Sequence, residues 1–251
     1  MSVPLVYIVP LAFVCEYIDS SLGMGYGTAL TPLLLLLGFE PLQIVPAVLL
    51  SEFATGLTAA FAHHRVHNVD FRPSSADAKV ALVLSTFAVL GTVVSVFLAV
   101  KLPSDVLKLF IGVIVVSIGV YLLVSRNRTP RFSWTNIITL GTIASFNKGM
   151  SGGGYGPLVT GGQVLSGIGT KNAVAITSLS EGVTCLIGVI TYSCIRSRID
   201  WTLAPWLMAG AVLSVPFAAH TLKWMPEKFA RGAVALVVFM LGSITLVKNL
   251  L

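Results

Sequence analysis

Charge is what this sequence has least of. Of 251 residues, 10% are Asp, Glu, Lys or Arg, against about 25% in ordinary soluble domains. A water-soluble enzyme of this length needs a charged surface, and a disordered chain needs more polarity still. The mean hydropathy of +0.91 excludes both. Cysteine is nearly as scarce. Cys15, Cys185 and Cys194 show no CxxC spacing, so they offer no metal or redox framework. The N-terminus has no basic stretch, so the apolar run from Met1 to Cys15 is expected to open a membrane helix rather than a cleaved signal peptide. The net charge of +6 is not a nucleic-acid-binding patch, because Lys and Arg fall in short clusters between long apolar runs.

Those runs set the fold class. About 20 apolar residues cross roughly 30 Å of hydrocarbon. Segments 80–100, 109–125, 201–222 and 232–247 carry no charge, while 41–62 and 172–195 each carry one glutamate, Glu52 and Glu181. Segment 3–22 holds Glu16 and Asp19, segment 132–147 is short, and two Gly-interrupted pieces lie near 26–39 and 155–167. The expectation is an all-α polytopic membrane protein. Trp134, Trp201, Trp206 and Trp224 fall near predicted helix ends, where an aromatic belt places them.

The chain also repeats itself. A single constant offset carries Gly25-Tyr26-Gly27 onto Gly154-Tyr155-Gly156, Gly38 onto Gly167, Ser51-Glu52 onto Ser180-Glu181 and Thr55 onto Thr184, without a gap. Residues 1–125 and 132–251 are therefore expected to be two repeats of about five transmembrane or half-membrane helices, in one integrated membrane domain. An odd number of crossings per repeat inverts one half relative to the other. One face then gathers Arg65, Arg72, Lys79, Arg126, Arg128, Arg131, Lys223, Lys228 and Arg231; the other holds mainly Lys101, Arg196, Arg198 and Lys248. The richer face is expected to be cytoplasmic, with both termini outside.

Glu16, Asp19, Glu52, Lys148 and Glu181 are expected at membrane depth. A charge at the bilayer centre costs about 2.5–3.5 kcal/mol on insertion scales, so such residues face a polar cavity or a partner. Glu52 lies three turns beyond Pro41, about 16 Å up its helix and near the midplane. Thr177, Glu181 and Thr184 share one helical face, as do Val48, Glu52 and Thr55. Asp19, Glu52 and Glu181 are candidates for proton coupling or gating, against the plainer alternative that each carboxyl bonds a neighbouring helix. The Gly-rich stretches 23–27 and 149–156 each precede a short helix. Unwound backbone at membrane depth is tolerated where it lines a cavity or is buried in protein, and helix N-termini meeting there attract an anion. Gly25, Tyr26, Gly27, Lys148, Ser151, Gly153, Gly154, Tyr155 and Gly156 are the candidate substrate-binding residues. Asp19 occupies the position matching Lys148, so the two are expected either to bridge across the repeat or to leave Asp19 as a proton carrier.

Two patterns point elsewhere. Gly149-Met150-Ser151-Gly152-Gly153 fits G-x-S-x-G, but a nucleophile elbow needs a strand–turn–helix. An intramembrane serine hydrolase built on Ser151 would have His220 as its only helical histidine. His63, His64 and His67 have metal-binding spacing, yet beside Arg65 and Arg72 they are expected at a solvated interface. No catalytic residue, metal or cofactor is expected.

The Gly-rich turn, the short apolar helix and the following helix, in stretches 149–182 and 23–52, resemble the TauE/SafE sulfite exporter family. The resemblance covers essentially the whole chain. It implies a secondary transporter of the plasma (inner) membrane, built from inverted repeats, that moves small anions such as sulfite, thiosulfate or organosulfonates. The first turn departs from the family in having Gly23-Met24-Gly25-Tyr26-Gly27 where consecutive glycines are common. The expected partners are a small anion and the lipid bilayer, with a homo-oligomer left open and nucleic acid excluded. A passive anion channel on the same scaffold is the alternative.

Overall fold

A computed structural model describes residues 4–23, 25–124 and 133–222, together with 239, 240, 243 and 247. The span expected at 232–247, Trp224, and the basic residues at 126, 128, 131, 223, 228, 231 and 248 lie outside the described residues or in their gaps. The described residues form helices joined by short turns, with no strand among them. A 3-10 turn, Leu5–Tyr7, leads into α1 (Ile8–Leu22). There follow α2 (Tyr26–Leu36), α3 (Pro41–Arg65), α4 (Ala76–Lys101) and α5 (Ser104–Val124). The second half has α6 (Trp134–Ser151), α7 (Tyr155–Leu165), α8 (Thr170–Ile195) and α9 (Ala204–Thr221). Four stretches are long and apolar enough to cross a membrane: Leu5–Leu22, Pro41–Arg65, Ala76–Lys101 and Thr170–Ile195. Large apolar side chains such as Phe61, Leu82, Leu90, Leu213 and Phe217 cover the outside, while serines, threonines and charges are buried inside. That inversion of the soluble pattern is what a lipid solvent selects.

Several helix ends differ from the sequence-based bounds. Helix α3 runs on to Arg65, and α6 continues through Gly149, Met150 and Ser151. The unwound break in the second half is therefore limited to residues 152–154. Left-handed glycines end α1 and α6: Gly23 has φ +67° and Gly152 φ +73°. These two positions are related by the same offset as the repeat, and so are the positive-φ pairs Gly25/Gly154 and Gly38/Gly167.

Contacts at the two ends of the bundle fix the direction of each helix. At the near end, Glu40 accepts hydrogen bonds from Ser104 Oγ (2.5 Å) and Lys108 Nζ (3.1 Å), and Gln43 donates to Asp200 (2.7 Å). At the far end, Asn172 donates to Asp77 (2.7 Å) and Asn68 to the Ala219 carbonyl (3.3 Å). Helix α1 runs alongside α9 from near to far: Val9 backs onto Gly210, Phe13 meets Phe217 at 6.1 Å and Tyr17 donates to Thr221 (2.8 Å). Helix α2 then returns to the near end, just ahead of Glu40. Helix α6 runs alongside α4 from the far end, with Gly141 on Leu84, Gly91 on Ser145 and Gly149 on Ser95, and α7 returns to the far end ahead of Asn172. Thus α1–α2 and α6–α7 are two hairpins whose glycine tips meet inside the bundle. Helices α3 and α8 cross between them at Gly56 and Gly182, where a Cβ on Gly56 would lie 2.7 Å from the Gly182 Cα.

Candidate functional site

The hairpin tips touch through backbone. A Cβ on Gly27 would stand 1.8 Å from the Gly152 carbonyl oxygen, and one on Gly156 would stand 2.8 Å from the Gly23 carbonyl oxygen. Gly153 packs on Gly27 in the same way. Thr28 Oγ1 accepts a hydrogen bond from Gly154 N (2.9 Å), and Thr160 Oγ1 donates to Gly23 O (2.9 Å). Only glycine permits this approach, so the N-termini of α2 and α7 converge.

Lys148, in the last turn of α6, reaches this point fully buried. Its ammonium forms ion pairs with both repeat glutamates: Glu52 of α3, and Glu181 of α8 at 2.7 Å. Asp19 makes no ion pair among the described residues, so the expected bridge between Asp19 and Lys148 is replaced by one to the two glutamates. The repeat offset alone matched Asp19 with Lys148. The glutamates win because α3 and α8 cross beside the α6 terminus. A buried charge pair survives only if its remaining lone pairs are also satisfied. Glu52 meets this requirement, accepting from Gly27 N (3.2 Å) and lying 3.8 Å from Cys185 Sγ.

Two further acids join them. Glu16 accepts from Ser20 Oγ (2.6 Å) and from Thr55 Oγ1 (3.1 Å). Glu16, Asp19, Glu52 and Glu181 all line one cleft with Thr55, Gly56, Ala59 and Ser178. The cleft has about 10 Å³ of free space, roughly room for one water. Four carboxyl groups, two of them paired with the Lys148 ammonium behind them, thus face a space that an oxyanion does not enter in this conformation.

The tyrosines act as spacers. The hydroxyls of Tyr26 and Ser51 share a 2.8 Å hydrogen bond, and the Tyr155 hydroxyl sits beside Ser180 and Thr184. Gly25 precedes α2 as its N-cap, as Gly154 does α7. Ser151 Oγ donates to Asn147 O (2.8 Å) and accepts from Gly153 N (3.2 Å), which ties it to the local turn. The exposed His220 bonds its own helix at Pro216 O.

Sequence reasoning placed all three histidines at a solvated interface, and His63 corrects this. It is fully buried, donating from Nε2 to Ser20 O (3.0 Å) and accepting at Nδ1 from Asn68 (3.0 Å). The neighbouring Arg65 and Arg72 do face outward, but the end of α1 covers this one side chain. Among the described residues no three His, Cys, Asp or Glu side chains are placed to hold a metal ion. The residue that sequence reasoning left without a role is Glu16. Its spacing of four from Ser20 and its membrane depth were the available signals.

Comparison with known proteins gives the setting for this geometry. A family model described as "Sulfite exporter TauE/SafE" matches residues 8–244. The chain is 30% identical to the "Probable membrane transporter protein YtnM" of Bacillus subtilis, over 87% of this chain and 73% of that protein. It is 23% identical to the "Probable membrane transporter protein YdhB" of the same organism, over 95% of this chain and 99% of that one. A 28% identical relative from Sinorhizobium sp, "Probable membrane transporter protein ORF9", aligns over 69% of this chain and 66% of its own length. No solved structure matches. With its buried charges, apolar exterior and match over nearly its whole length, this multi-pass membrane protein is a transporter rather than an enzyme, and it belongs to the sulfite exporter TauE/SafE family.

Proposed function

We propose that the chain is a proton-coupled secondary transporter of the plasma membrane that carries a small sulfur-containing anion such as sulfite, thiosulfate or an organosulfonate. The observation that carries this reading is the Lys148 ammonium held between Glu52 and Glu181, where the N-termini of α2 and α7 converge. In this conformation Glu52 occupies both the ammonium and the Gly27 N–H. An anion arriving there competes with a carboxylate already in place. If a proton neutralises Glu52, the Gly27 amide is released to the anion, and the ammonium, still paired with Glu181, loses one of its two carboxylate partners and gains room for the anion. Anion and proton then favour each other's binding by the same factor, and the pair enters without adding net charge to a low-dielectric site. Backbone N–H groups near Gly27, Gly153 and Gly154 and the Ser151 hydroxyl complete the proposed cradle, with Glu181 and Asp19 sharing the proton.

The two halves, 1–125 and 132–251, are proposed to be inverted repeats that rock against each other to alternate access. Matched glycine pairs support this, as do the exchanged packing partners: α1 of the first half packs on α9 of the second, and α6 of the second half on α4 of the first.

Reconstitution in liposomes tests the reading. Influx of sulfite, thiosulfate, sulfate, a short organosulfonate and acetate is measured with and without an imposed pH gradient. Gradient-driven accumulation of one sulfur anion is expected. Equilibration that ignores the gradient would replace the transporter with a channel or uniporter. Glu181→Gln is expected to flatten the pH dependence of influx, and an unchanged profile removes Glu181 from the coupling role.

A further inference from the structure

The seams between the short helices and the long helices that follow them differ between the halves. Between α7 and α8 a run of polar side chains is buried beside the apolar contacts of Val159 and Ile176. Thr160 Oγ1 lies 2.9 Å from Thr177 Oγ1, and Gln163 Nε2 donates to Thr177 Oγ1 (2.8 Å) and more weakly to Ala173 O (3.4 Å). Gln163 Oε1 and Ser166 Oγ, both in side chains about 1% exposed, have no protein hydrogen-bond partner. A buried polar atom without a partner costs about 1–3 kcal/mol, and native proteins meet that need with water. In the matching seam between α2 and α3, the repeat pairs Gln163, Ser166 and Thr177 with Leu34, Leu37 and Val48. Of that seam's matching positions only Thr31, the counterpart of Thr160, keeps a hydroxyl; its buried Oγ1 also has no protein partner, so that seam has one such atom where the polar seam has two.

The polar seam has two termini of the same character. At its inner end Thr177 stands one turn before Glu181, and Gly23, which accepts from Thr160, lies against Gly156 beside Asp19. At its outer end Asn172 lines an open recess of about 400 Å³ shared with His64, Asp70, Arg72 and Asp77. Arg65, Arg72 and Lys79 put this recess at the Arg/Lys-rich end of the bundle.

The geometry points to the α7–α8 seam as a hydrated path that carries protons between the far-end recess and the carboxyl cleft, with Gln163, Ser166 and Thr177 holding the water file. The α2–α3 seam, with leucines and a valine at the matching positions, is its drier counterpart. A chain of hydroxyls, an amide and water relays protons while remaining too narrow for an oxyanion, so protons and anion reach the cleft by separate routes. This inference rests on the proton-coupled reading for its purpose, but not for its test.

Single cysteines are introduced into a Cys194→Ser background, in which the remaining native thiols, Cys15 and Cys185, are buried. Ser166→Cys and Thr177→Cys sit in the polar seam, Leu34→Cys and Val48→Cys in the drier one. Each is exposed to Ag⁺, a membrane-impermeant thiol-reactive ion small enough to follow a file of water, in inside-out and right-side-out vesicles, with the Cys194→Ser protein alone as the baseline. The polar-seam thiols are expected to react about tenfold faster or more than the drier-seam thiols, which must wait for local opening, and to do so only from the far-end side. Equal rates in the two seams would overturn the path. Ser166→Cys is nearly isosteric and keeps the test alive if Thr177→Cys does not fold. Gln163→Leu, which installs the residue of the drier seam, is expected to slow gradient-driven influx severalfold while leaving equilibrium anion binding in place. Labelling without any gradient-driven flux would keep the hydrated path and remove the coupling reading. Flux without labelling would do the opposite.

Discussion

Lys148 is the residue on which the interior depends. Removing one partner from a buried ion pair leaves an uncompensated charge and costs about 3–5 kcal/mol. Lys148→Met is therefore expected to lower stability by that order and abolish transport, measured by detergent-titrated unfolding and liposome influx. Adding Glu52→Gln and Glu181→Gln should restore most of the stability and none of the transport. Glycine at the tips is as unforgiving. Gly27→Ala puts a methyl group against the Gly152 carbonyl oxygen, and overpacking of this kind costs about 1–3 kcal/mol. Gly38→Ala is the control: its φ of +95° strains an alanine, but nothing lies within 4 Å of the added carbon. The expected order of melting temperature and of influx is wild type, Gly38→Ala, then Gly27→Ala. Burial and face were legible at this scale, because helical periodicity puts Glu52 and Glu181 on polar stripes of apolar helices, and both are buried. Their common partner was not. Lys148 is far from Glu181 in sequence and farther still from Glu52, and periodicity within one helix says nothing about what stands opposite it. His63 misled for a related reason: its neighbours in sequence are cationic and exposed, while its cover comes from α1.

At the scale of elements, composition identified the long helices and the internal repeat identified the two short ones. Composition could not say whether a short helix continues across the membrane or turns back, because a helix such as α2 or α7 has the same residues in either direction. The ties at the bundle ends supply the direction, and each can be cut. His63→Ala removes the bonds that join α3 to the α1 terminus and leaves the buried Asn68 amide and Ser20 carbonyl short of a partner. A loss of about 1–3 kcal/mol is expected, with hydrogen exchange rising first at the end of α1. At the near end, the Ser104 hydroxyl, with Lys108, holds the Glu40 carboxyl below its ordinary range. A lowered folded value stabilises above the unfolded one and is lost as pH falls through the folded one. The small advantage of wild type over Glu40→Gln in melting temperature should persist at neutral pH and disappear in acid, below about 4. A difference that grows on acidification would show that Glu40 acts otherwise.

For the whole molecule, the distribution of positive charge orients the bundle. The far end, with Arg65, Arg72 and Lys79, is expected to be cytoplasmic. The exposed Cys194, next to Arg196 and Arg198 at the other end, should then react with an impermeant maleimide on intact cells. Arg72→Cys in a Cys194→Ser background should react only after the cells are opened. The reverse pattern would invert the molecule and, with it, the side from which the proposed path would carry protons to the cleft.

The crossing of α3 and α8 at Gly56 and Gly182 is a bearing without teeth. Two backbones meet there with no side chains between them, so one helix can swivel on the other without lifting a ridge out of a groove. Glu52 sits about one turn from that pivot and Glu181 is its immediate neighbour, while Pro41 lies at the distant start of α3. A swivel of about 10° moves a point about 22 Å along the helix by roughly 4 Å, and one about 6 Å along by roughly 1 Å. Such a swivel would leave the two glutamates almost still while the helix ends swing. If the proposed coupling holds, the molecule is a lever with its trigger at the fulcrum, where a proton's worth of rearrangement would be read out as the opening of a distant rim.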